Sequence, residues 1–518
     1  MKGGALATTP ERKGMSRREF LPKAAGVAAI GAAGVIGYEL APSGSPPAPK
    51  PAPAPAPAQT PEAGSSQVRT FVTRPDLRPP SVTVTPVGSL SSQPSTPPYI
   101  FVAPTNYVPD GPAQQGLMIL DRQGRLVWFS PVTPGKPFDF NMQSNQGTPV
   151  LTWWQGQVTG AHGLGVGEIA DNSYRTIASV KAGDGLATDL HELNLTSSGT
   201  ALITAYETTT ADLSSVGQKR TGKVFVGHAQ EIDLKTGKVL FDWRSLDHVP
   251  LNESFQNPPA NPKGTFDYFH INSVAEMDDG NLLISGRNTW ALYKVDRSSG
   301  KVIWRLNGKR SNFSLSTAAR FYWQHHARAQ GTTGLTLFDN AGPKKERESR
   351  GLSLSVNTNA MHVDLAQAYI HPARFLSNTL GSVQLLDDGR VFVGWGDQPY
   401  FSEFAPDGTL LLTGQLPIGV RSYRTFAANW VGQPAEPPRV VAKANPAGGF
   451  VVWASWNGAT EIDSWTVLAG PNKSSLTAVG SQPWGGFETP IAVNSTGPYF
   501  AVAAIDRNGK ELGRSAVV

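Results

Sequence analysis

The sequence contains no cysteine among its 518 residues. This absence excludes disulfide bonds, Cys-ligated zinc, iron–sulfur clusters and thiol catalysis together. Charged residues are also few, at 16%, and no Gly-rich loop of the kind that cradles phosphate is present. Any chemistry must therefore come from His, carboxylate, hydroxyl, amide or Arg side chains, and we expect neither a cofactor nor a resident metal ion.

The net charge of +5 does not indicate nucleic acid as a partner, because the excess lies at one end of the chain. Residues 1–50 hold seven Lys or Arg and only three acidic residues. The rest of the chain is close to neutral, whereas nucleic-acid-binding domains carry basic patches. We expect small-molecule partners instead.

The first 67 residues predict export and a spacer. Ser16–Leu21 contains an Arg pair before large apolar residues, and an apolar run follows from Ala24 to Gly37, as in a twin-arginine signal. The run is shorter than the roughly 20 residues of a membrane span. Residues 1–41 therefore predict a signal that is either cleaved or kept as a membrane anchor, and residues 42–67 a disordered Pro/Ala-rich linker. The predicted location is extracellular or in the cell envelope.

Two hairpin patterns recur in the body of the chain and predict its fold. The first pattern is an apolar strand, an Asp-x-x-Gly turn or one a residue longer, and an apolar strand that contains Trp. The second pattern is a strand, a polar turn that ends in Gly, and a second apolar strand. Copies of the first are Leu120–Trp128, Ile232–Trp243 and Val295–Trp304, with a shorter relative at Pro406–Leu410, and copies of the second are His191–Ala205, His270–Ser285 and Gly381–Gly394.

Two hairpins make a four-stranded unit that cannot bury its own faces, so such units need neighbours in a ring. The predicted fold class is therefore all-β, with a six-bladed β-propeller over residues 68–436. Residues 437–518 show short alternating strands with several Trp and predict an immunoglobulin- or fibronectin III-like sandwich. Two consecutive β-sandwiches are the alternative architecture.

Three histidine positions stand where the second hairpin of a unit begins: His191, His270 and the doublet His325-His326. The first strands of propeller blades line the central channel, so these imidazoles are expected to converge. Two chemistries stay open at this point. One is nucleophilic catalysis by imidazole, with Asn272 and Arg287 holding an anionic group. The other is a metal site made by His191, His270 and His325.

Several short motifs then occur in an order that resembles the arylsulfotransferase family. They cover roughly residues 98–436 and are Asp189–Glu192, Phe266–Val274, Ser285–Asn288, Gly300–Leu306, Gln324–Ala327 and Ser422–Phe426. The resemblance implies transfer of a sulfuryl group from a phenolic sulfate ester to a phenol, independent of the nucleotide sulfate donor PAPS, through a sulfohistidine.

The same resemblance implies roles for individual residues. His325 would be the nucleophile, because it follows Gln324 as in the motif, although the doublet with His326 leaves that choice ambiguous. His270 and Arg287 would bind the sulfuryl oxygens. His191 and Asn272 would assist in acid–base and hydrogen-bonding work. The further substrate-binding residues are His326, Asn288 and Arg424.

Two other functions stay open on the sequence. One is a metal-dependent hydrolase or lyase on the three-histidine site, and the other is a non-catalytic cell-surface propeller that binds through its C-terminal sandwich. The sequence names no physiological donor or acceptor and no oligomeric state.

Overall fold

The computed structural model of the chain describes residues 67–87, 97–107, 111, 113–218, 220–343 and 347–518. The predicted signal, and all but the last residue of the predicted linker, lie outside these residues and stay predictions. No helix within the described part of the chain is long and apolar enough to span a membrane. The apolar run from Ala24 to Gly37, which the membrane-anchor prediction rests on, lies outside the described residues.

The described part of the chain is nearly all β-structure. Its first sixteen strands are β1 (Thr83–Pro86), β2 (Tyr99–Asn106), β3 (Gly116–Asp121), β4 (Leu126–Pro131), β5 (Lys136–Asn145), β6 (Thr148–Thr159), β7 (His162–Ala170), β8 (Thr176–Val180), β9 (Thr188–Leu195), β10 (Thr200–Asp212), β11 (Thr221–Asp233), β12 (Val239–Arg244), β13 (Ile271–Glu276), β14 (Leu282–Gly286), β15 (Ala291–Val295) and β16 (Val302–Asn307).

The remaining strands continue without a long helix. They are β17 (Ser314–Leu315), β18 (His325–Gln330), β19 (Gly334–Asp339), β20 (Arg350–Asn357), β21 (His362–Tyr369), β22 (Ser382–Leu385), β23 (Val391–Gly394), β24 (Tyr400–Phe404), β25 (Leu410–Gln415), β26 (Val420–Ala428), β27 (Arg439–Ala444), β28 (Phe450–Ser455), β29 (Ser464–Gly470), β30 (Thr477–Pro483), β31 (Glu488–Val493), β32 (Tyr499–Ile505) and β33 (Glu511–Arg514). The described residues add one short helix, α1 (Ser245–His248), and the 3₁₀ turns Ser214–Val216, Leu251–Glu253 and Thr317–Ala319.

Up to β26 these strands form five sheets. Their orders are β26-β2-β3-β4, then β12-β11-β10-β9-β7-β6-β5 with β8 beside β7, then β13-β14-β15-β16, then β17-β21-β20-β19-β18, and lastly β1-β25-β24-β23-β22. The first of these sheets pairs a late strand with an early one. That pairing joins the two ends of this part of the chain.

The predicted hairpins are confirmed. The Asp-x-x-Gly copies become the pairs β3/β4, β11/β12, β15/β16 and β24/β25. The copies of the second pattern become β9/β10, β13/β14 and β22/β23. The turn glycines take the left-handed backbone that a side chain would strain, as at Gly124 with φ of 76° and Gly300 with φ of 70°.

The last part of the chain forms two further sheets, β27-β28-β31 and β30-β29-β32-β33. Side chains of both sheets, among them Val452 and Trp465, pack into one apolar cluster. Two antiparallel sheets with a shared core agree with a sandwich, while the immunoglobulin-like topology stays a prediction. The closed six-bladed ring and the domain boundaries also stay predictions.

Candidate active site

One cavity of about 670 Å³ collects most of the residues that the sequence singled out. His191, His270, Arg287, Asn288 and His325 all line it. They come from four separate stretches of the chain, at the starts of strands and in the loops between them. The volume is in the range of small-molecule sites, so the expected convergence of these imidazoles is what the structure shows.

His191 is held by a carboxylate two residues before it. Its Nδ1 lies 2.5 Å from Oδ2 of Asp189, and that carboxylate also accepts the backbone N–H of Gly163 and the hydroxyl of Thr204. Although burial opposes ionisation, the His191 ring and these donors lower the pKa of Asp189. An ionised Asp fixes the tautomer with the proton on Nδ1, so Nε2 of His191 carries the lone pair.

His270 has the same arrangement. Its Nδ1 lies 2.5 Å from Oδ2 of Asp267, and its ring centroid is 5.0 Å from that of His191. Burial lowers the pKa of His270 to about 4, against the raising influence of Asp267. His270 is therefore a neutral imidazole at ordinary pH, and its Nε2 makes no hydrogen bond within the described residues.

His162 completes the group on the far side of Asp267. Its Nε2 lies 3.3 Å from Oδ2 of that carboxylate, and its ring packs against Tyr206 and Phe225 at centroid distances of 4.3 Å. Burial lowers the pKa of His162, but Asp267 and Asp189 outweigh it and raise the pKa overall. The carboxylate of Asp267 thus serves two imidazoles at once.

Arg287 lines the cavity without a carboxylate partner among the described residues. Its guanidinium donates to Oδ1 of Asn288 and to the carbonyl of Asn378, each at 3.0 Å, and lies 4.6 Å from the ring centroid of Trp323. Burial lowers the pKa of Arg287 to about 10, so the group stays charged at neutral pH. An uncompensated guanidinium in a cavity is suited to bind an oxyanion.

His325 lies in the same cavity, but both of its ring nitrogens are engaged. Nδ1 lies 2.7 Å from Oδ1 of Asn340, whose Nδ2 donates to two backbone carbonyls and so leaves Oδ1 as the acceptor. Nε2 of His325 accepts the backbone N–H of Leu380 at 3.2 Å. The lone pair that a nucleophile needs is therefore directed at a hydrogen-bond donor of the protein.

The side-chain amides of Asn272 and Asn288 donate hydrogen bonds to backbone carbonyl groups around the site. Asn272 is fully buried outside the cavity wall, and its Nδ2 donates to the carbonyl of Gln324 at 2.7 Å. Asn288 donates to the carbonyl of Asp267 and accepts from Arg287. Asn272 thus holds the backbone next to His325, and its assisting role in catalysis stays a prediction.

His326 and Arg424 line a second, smaller cavity of about 270 Å³ and not the one described above. Arg424 is 1% exposed and pairs with Asp139 and Glu192, both at 2.9 Å. These acids outweigh burial and raise the pKa of Arg424, while burial raises the pKa of Asp139 to about 6. Neither side chain lines the histidine cavity, and Arg424 contacts His191 only at its backbone carbonyl. The substrate-binding roles of His326 and Arg424 therefore stay predictions.

Three residues of the cavity have strained backbone. His270, Trp323 and Leu380 have positive φ, between 54° and 69°, although none is glycine. Each such conformation costs about 1–3 kcal/mol and persists only where the surroundings enforce it. The fold holds these residues in place against local preference, as is typical of functional sites.

Sequence reasoning missed four residues of the cavity and its walls: His162, Asp189, Asp267 and Arg421. The two acids had a signal, since each stands two or three positions before a predicted site histidine. His162 had none, because it starts the long strand β7 away from any motif. Arg421 was passed over in favour of Arg424.

The three-histidine metal set predicted as an alternative is not the one that the structure favours. Of the described residues, His162, Asp267 and His270 place ligand atoms within 4.8 Å of one another. However, Oδ2 of Asp267 already bonds Nδ1 of His270, and the Arg287 charge opposes a cation. The geometry of this group is that of hydrogen-bonded imidazoles.

A comparison with protein families finds one family model that matches this chain. The family model described as arylsulfotransferase (ASST) matches residues 141–416, more than half of the chain. The chain belongs to the arylsulfotransferase family. This membership supports aryl sulfotransfer in general, with an aryl sulfate donor and a phenol acceptor as small-molecule partners. The matched segment of this arylsulfotransferase-family chain contains the four histidines described above, His162, His191, His270 and His325.

Solved structures similar to this family member are distant. A Bacteroides caccae protein of unknown function is 12% identical, covers 64% of this chain and 99% of its own, and has a TM-score of 0.38. A Lactobacillus plantarum protein is 12% identical over 76% and 97%, with a TM-score of 0.35. Virginiamycin B lyase from Staphylococcus aureus is 9% identical over 71% and 92%, with a TM-score of 0.29. No curated protein matches the chain.

Proposed function

We propose that this chain transfers a sulfuryl group from a phenolic sulfate ester to a phenol without a nucleotide donor, through a sulfohistidine intermediate. The observation that carries the proposal is the pair of carboxylate-held imidazoles, His191 and His270, with ring centroids 5.0 Å apart. They share a cavity with an arginine that has no carboxylate partner among the described residues. Family membership supplies the reaction class.

The cavity offers separate surfaces for the two parts of an aryl sulfate. Arg287 presents its charge to the sulfuryl oxygens, whose negative charge it stabilises in the transition state. Phe138, Leu190 and Leu380 line the same cavity and belong to one apolar cluster. An aromatic ring is suited to such a wall.

The hydrogen bonds favour His270 as the residue that carries the sulfuryl group. A nucleophile needs a neutral ring and a free lone pair directed at the substrate. His270 has both, whereas Nε2 of His325 accepts the N–H of Leu380. His325 instead fixes the segment whose carbonyl at Asn378 holds Arg287. Family resemblance favours His325, so the two assignments make different predictions.

The reaction proceeds in two balanced steps. In the first, Nε2 of His270 attacks sulfur, the S–O bond to the aryl group breaks, and the aryl group leaves as a phenolate. In the second, Nε2 of neutral His191 takes the proton of the acceptor phenol, whose oxygen attacks sulfur as the S–N bond breaks, and His191 then releases that proton to water. Asp267 and Asp189 hold the two imidazoles in the tautomer that each step requires.

The test uses the full-length protein with 4-nitrophenyl sulfate as donor and phenol as acceptor, without any nucleotide. We expect release of 4-nitrophenolate, formation of phenyl sulfate, and parallel lines in double-reciprocal plots, the signature of a two-step mechanism. His270→Ala should abolish phenolate release, and His362→Ala, at a partly exposed histidine outside the cavity, should not. Absence of turnover with several aryl sulfates would contradict the proposed function.

A metal-dependent hydrolase is the second candidate, favoured by the proximity of His162, Asp267 and His270. It predicts stoichiometric zinc in the purified protein and loss of activity on chelation. Water, not phenol, would then be the acceptor, so free sulfate and phenyl sulfate distinguish the two functions.

The architecture around the site is part of the same proposal. We propose a six-bladed propeller over residues 68–436, an immunoglobulin-like sandwich over 437–518, and export by the twin-arginine route. Four of the five sheets up to β26 have four or five strands, and the eight-stranded sheet β5–β12 has strands enough for two such units, which supports the blade count. Replacing Arg17 and Arg18 by Lys, followed by cell fractionation, tests the export route.

A further inference from the structure

A second arginine, Arg421, lines the cavity without an ion-pair partner among the described residues. Arg421 is the second residue of β26 and lines the same cavity as Arg287. It makes no side-chain hydrogen bond and no ion pair within the described part of the chain, and its Nε is buried without a partner. Buried polar groups in native proteins are normally hydrogen-bonded, so these donors are suited to a ligand.

Arg421 is half-buried, and it differs in its lack of an ion pair from arginines that are more deeply buried. Arg122 pairs with Glu403, and Arg350 with Asp339. Even Arg287 donates to two protein oxygens. Burial lowers the pKa of Arg421, and the charge of Asp397 acts in the opposite direction, but that carboxylate accepts the N–H of Asn378 and Nε2 of Gln398.

The contact that Arg421 does make leaves its donors free. Its Cζ lies 5.4 Å from the ring centroid of Tyr107. Stacking of this kind uses the face of the planar guanidinium, while the N–H groups lie in its plane. The edge of the fork is therefore open for a planar anion.

The two arginines serve one cavity with an apolar wall, and a single sulfuryl group needs only one of them. Thr379 and Leu380 line the cavity and follow Asn378 in the chain. The backbone carbonyl of Asn378 accepts a hydrogen bond from Arg287, and its N–H donates to Asp397. A ligand with two negative groups on an aromatic body has a guanidinium for each of them in this cavity. Carboxylate matches the guanidinium fork in bidentate geometry.

We propose that Arg421 binds a carboxylate on the aromatic substrate, so that the preferred phenols and aryl sulfates are arene carboxylates. This inference rests on the proposed transfer function. It makes Arg421 a specificity-determining residue, whereas the sulfuryl group stays with Arg287 and the histidines.

The experiment compares two acceptors that differ in charge, 4-hydroxybenzoate and 4-hydroxybenzamide, on full-length protein. Binding is measured by titration calorimetry and transfer by kcat/KM with 4-nitrophenyl sulfate. We expect the carboxylate to be favoured by about tenfold or more. The ratio should fall towards one in Arg421→Gln, recover in part in Arg421→Lys, and stay unchanged in Arg439→Gln, an exposed arginine outside the cavity.

Equal preference for the two acceptors in the unaltered protein would overturn the proposal, as would a ratio that survives Arg421→Gln. The calorimetric arm needs no turnover, so it decides the role of Arg421 even if the transfer function fails. Failure of the transfer function alone would show as carboxylate-selective binding with no phenyl or carboxyphenyl sulfate formed.

Discussion

Replacement of Asp267 by Asn tests the role of the carboxylates that hold the imidazoles. The 2.5 Å contact between Nδ1 of His270 and Oδ2 of Asp267 keeps the lone pair on Nε2. An amide has the same shape but no charge, and its NH₂ group favours the other tautomer, in which Nε2 carries the proton. Asp267→Asn therefore removes the nucleophile without removing the histidine.

The expected loss of rate follows from what a correctly oriented acid–base group contributes to catalysis. Contributions of correctly held acid–base groups are about 10²–10⁴ in rate, which corresponds to about 2.7–5.4 kcal/mol in the activation barrier. Because Asp267 is also 3.3 Å from His162, the variant loses a second interaction, and we expect the loss in the upper part of that range.

The assay is the initial rate of 4-nitrophenolate release with phenol as acceptor, with the fold checked by thermal unfolding. Asp242→Asn is the matched control, because Asp242 holds Nδ1 of His228 at 2.9 Å and neither residue lines the cavity. The control should change the rate by less than about threefold, under about 1 kcal/mol. A folded Asp267→Asn protein with a rate within that same limit would refute the reasoning.

Three further predictions follow from the buried charges. Arg424→Met should lower the free energy of unfolding by about 3–5 kcal/mol in a denaturant titration, because it leaves the buried carboxylate of Asp139 without an ion pair and Glu192 with Arg328 alone; a loss below about 1 kcal/mol would contradict the ion-pair assignment. The rate of sulfuryl loading should stay constant from neutral pH down towards the His270 pKa of about 4 and fall below it, because protonation removes the Nε2 lone pair. A fall in that rate near pH 6.5, the ordinary histidine pKa, would contradict a buried nucleophile. Dialysis against a chelator should leave phenyl sulfate formation unchanged, and recovery of lost activity by zinc would favour the metal-dependent alternative.

Much of the fold was predictable because its signals are local. The Asp-x-x-Gly turn that ends at Gly124 and the turn one residue longer that ends at Gly300 specify hairpins wherever they stand between alternating strands. The convergence of His191, His270 and His325 followed from their equivalent places in the repeat. How the sheets close on one another depends on contacts far apart in sequence, which no local pattern records.

The details of the site depended on geometry that the sequence does not show. Adjacent residues such as His325 and His326 line different cavities. In β26 a register shift opposite Val102 and Pro104 sends both Tyr423 and Arg424 towards the carbonyl of His191. A β-bulge of this kind redirects side chains and explains why the arginine in the family motif is internal.

The most direct test of the covalent mechanism is mass spectrometry of the protein after brief incubation with 4-nitrophenyl sulfate and no acceptor. Trypsin places the candidate carriers on different peptides, with His270 on Gly264–Arg287 and His325 on Phe321–Arg328. We predict one added sulfuryl group on the His270 peptide, lost when phenol is added. Turnover with no adduct on any histidine peptide would contradict the sulfohistidine, and an adduct on Phe321–Arg328 alone would move the carrier to His325 or His326.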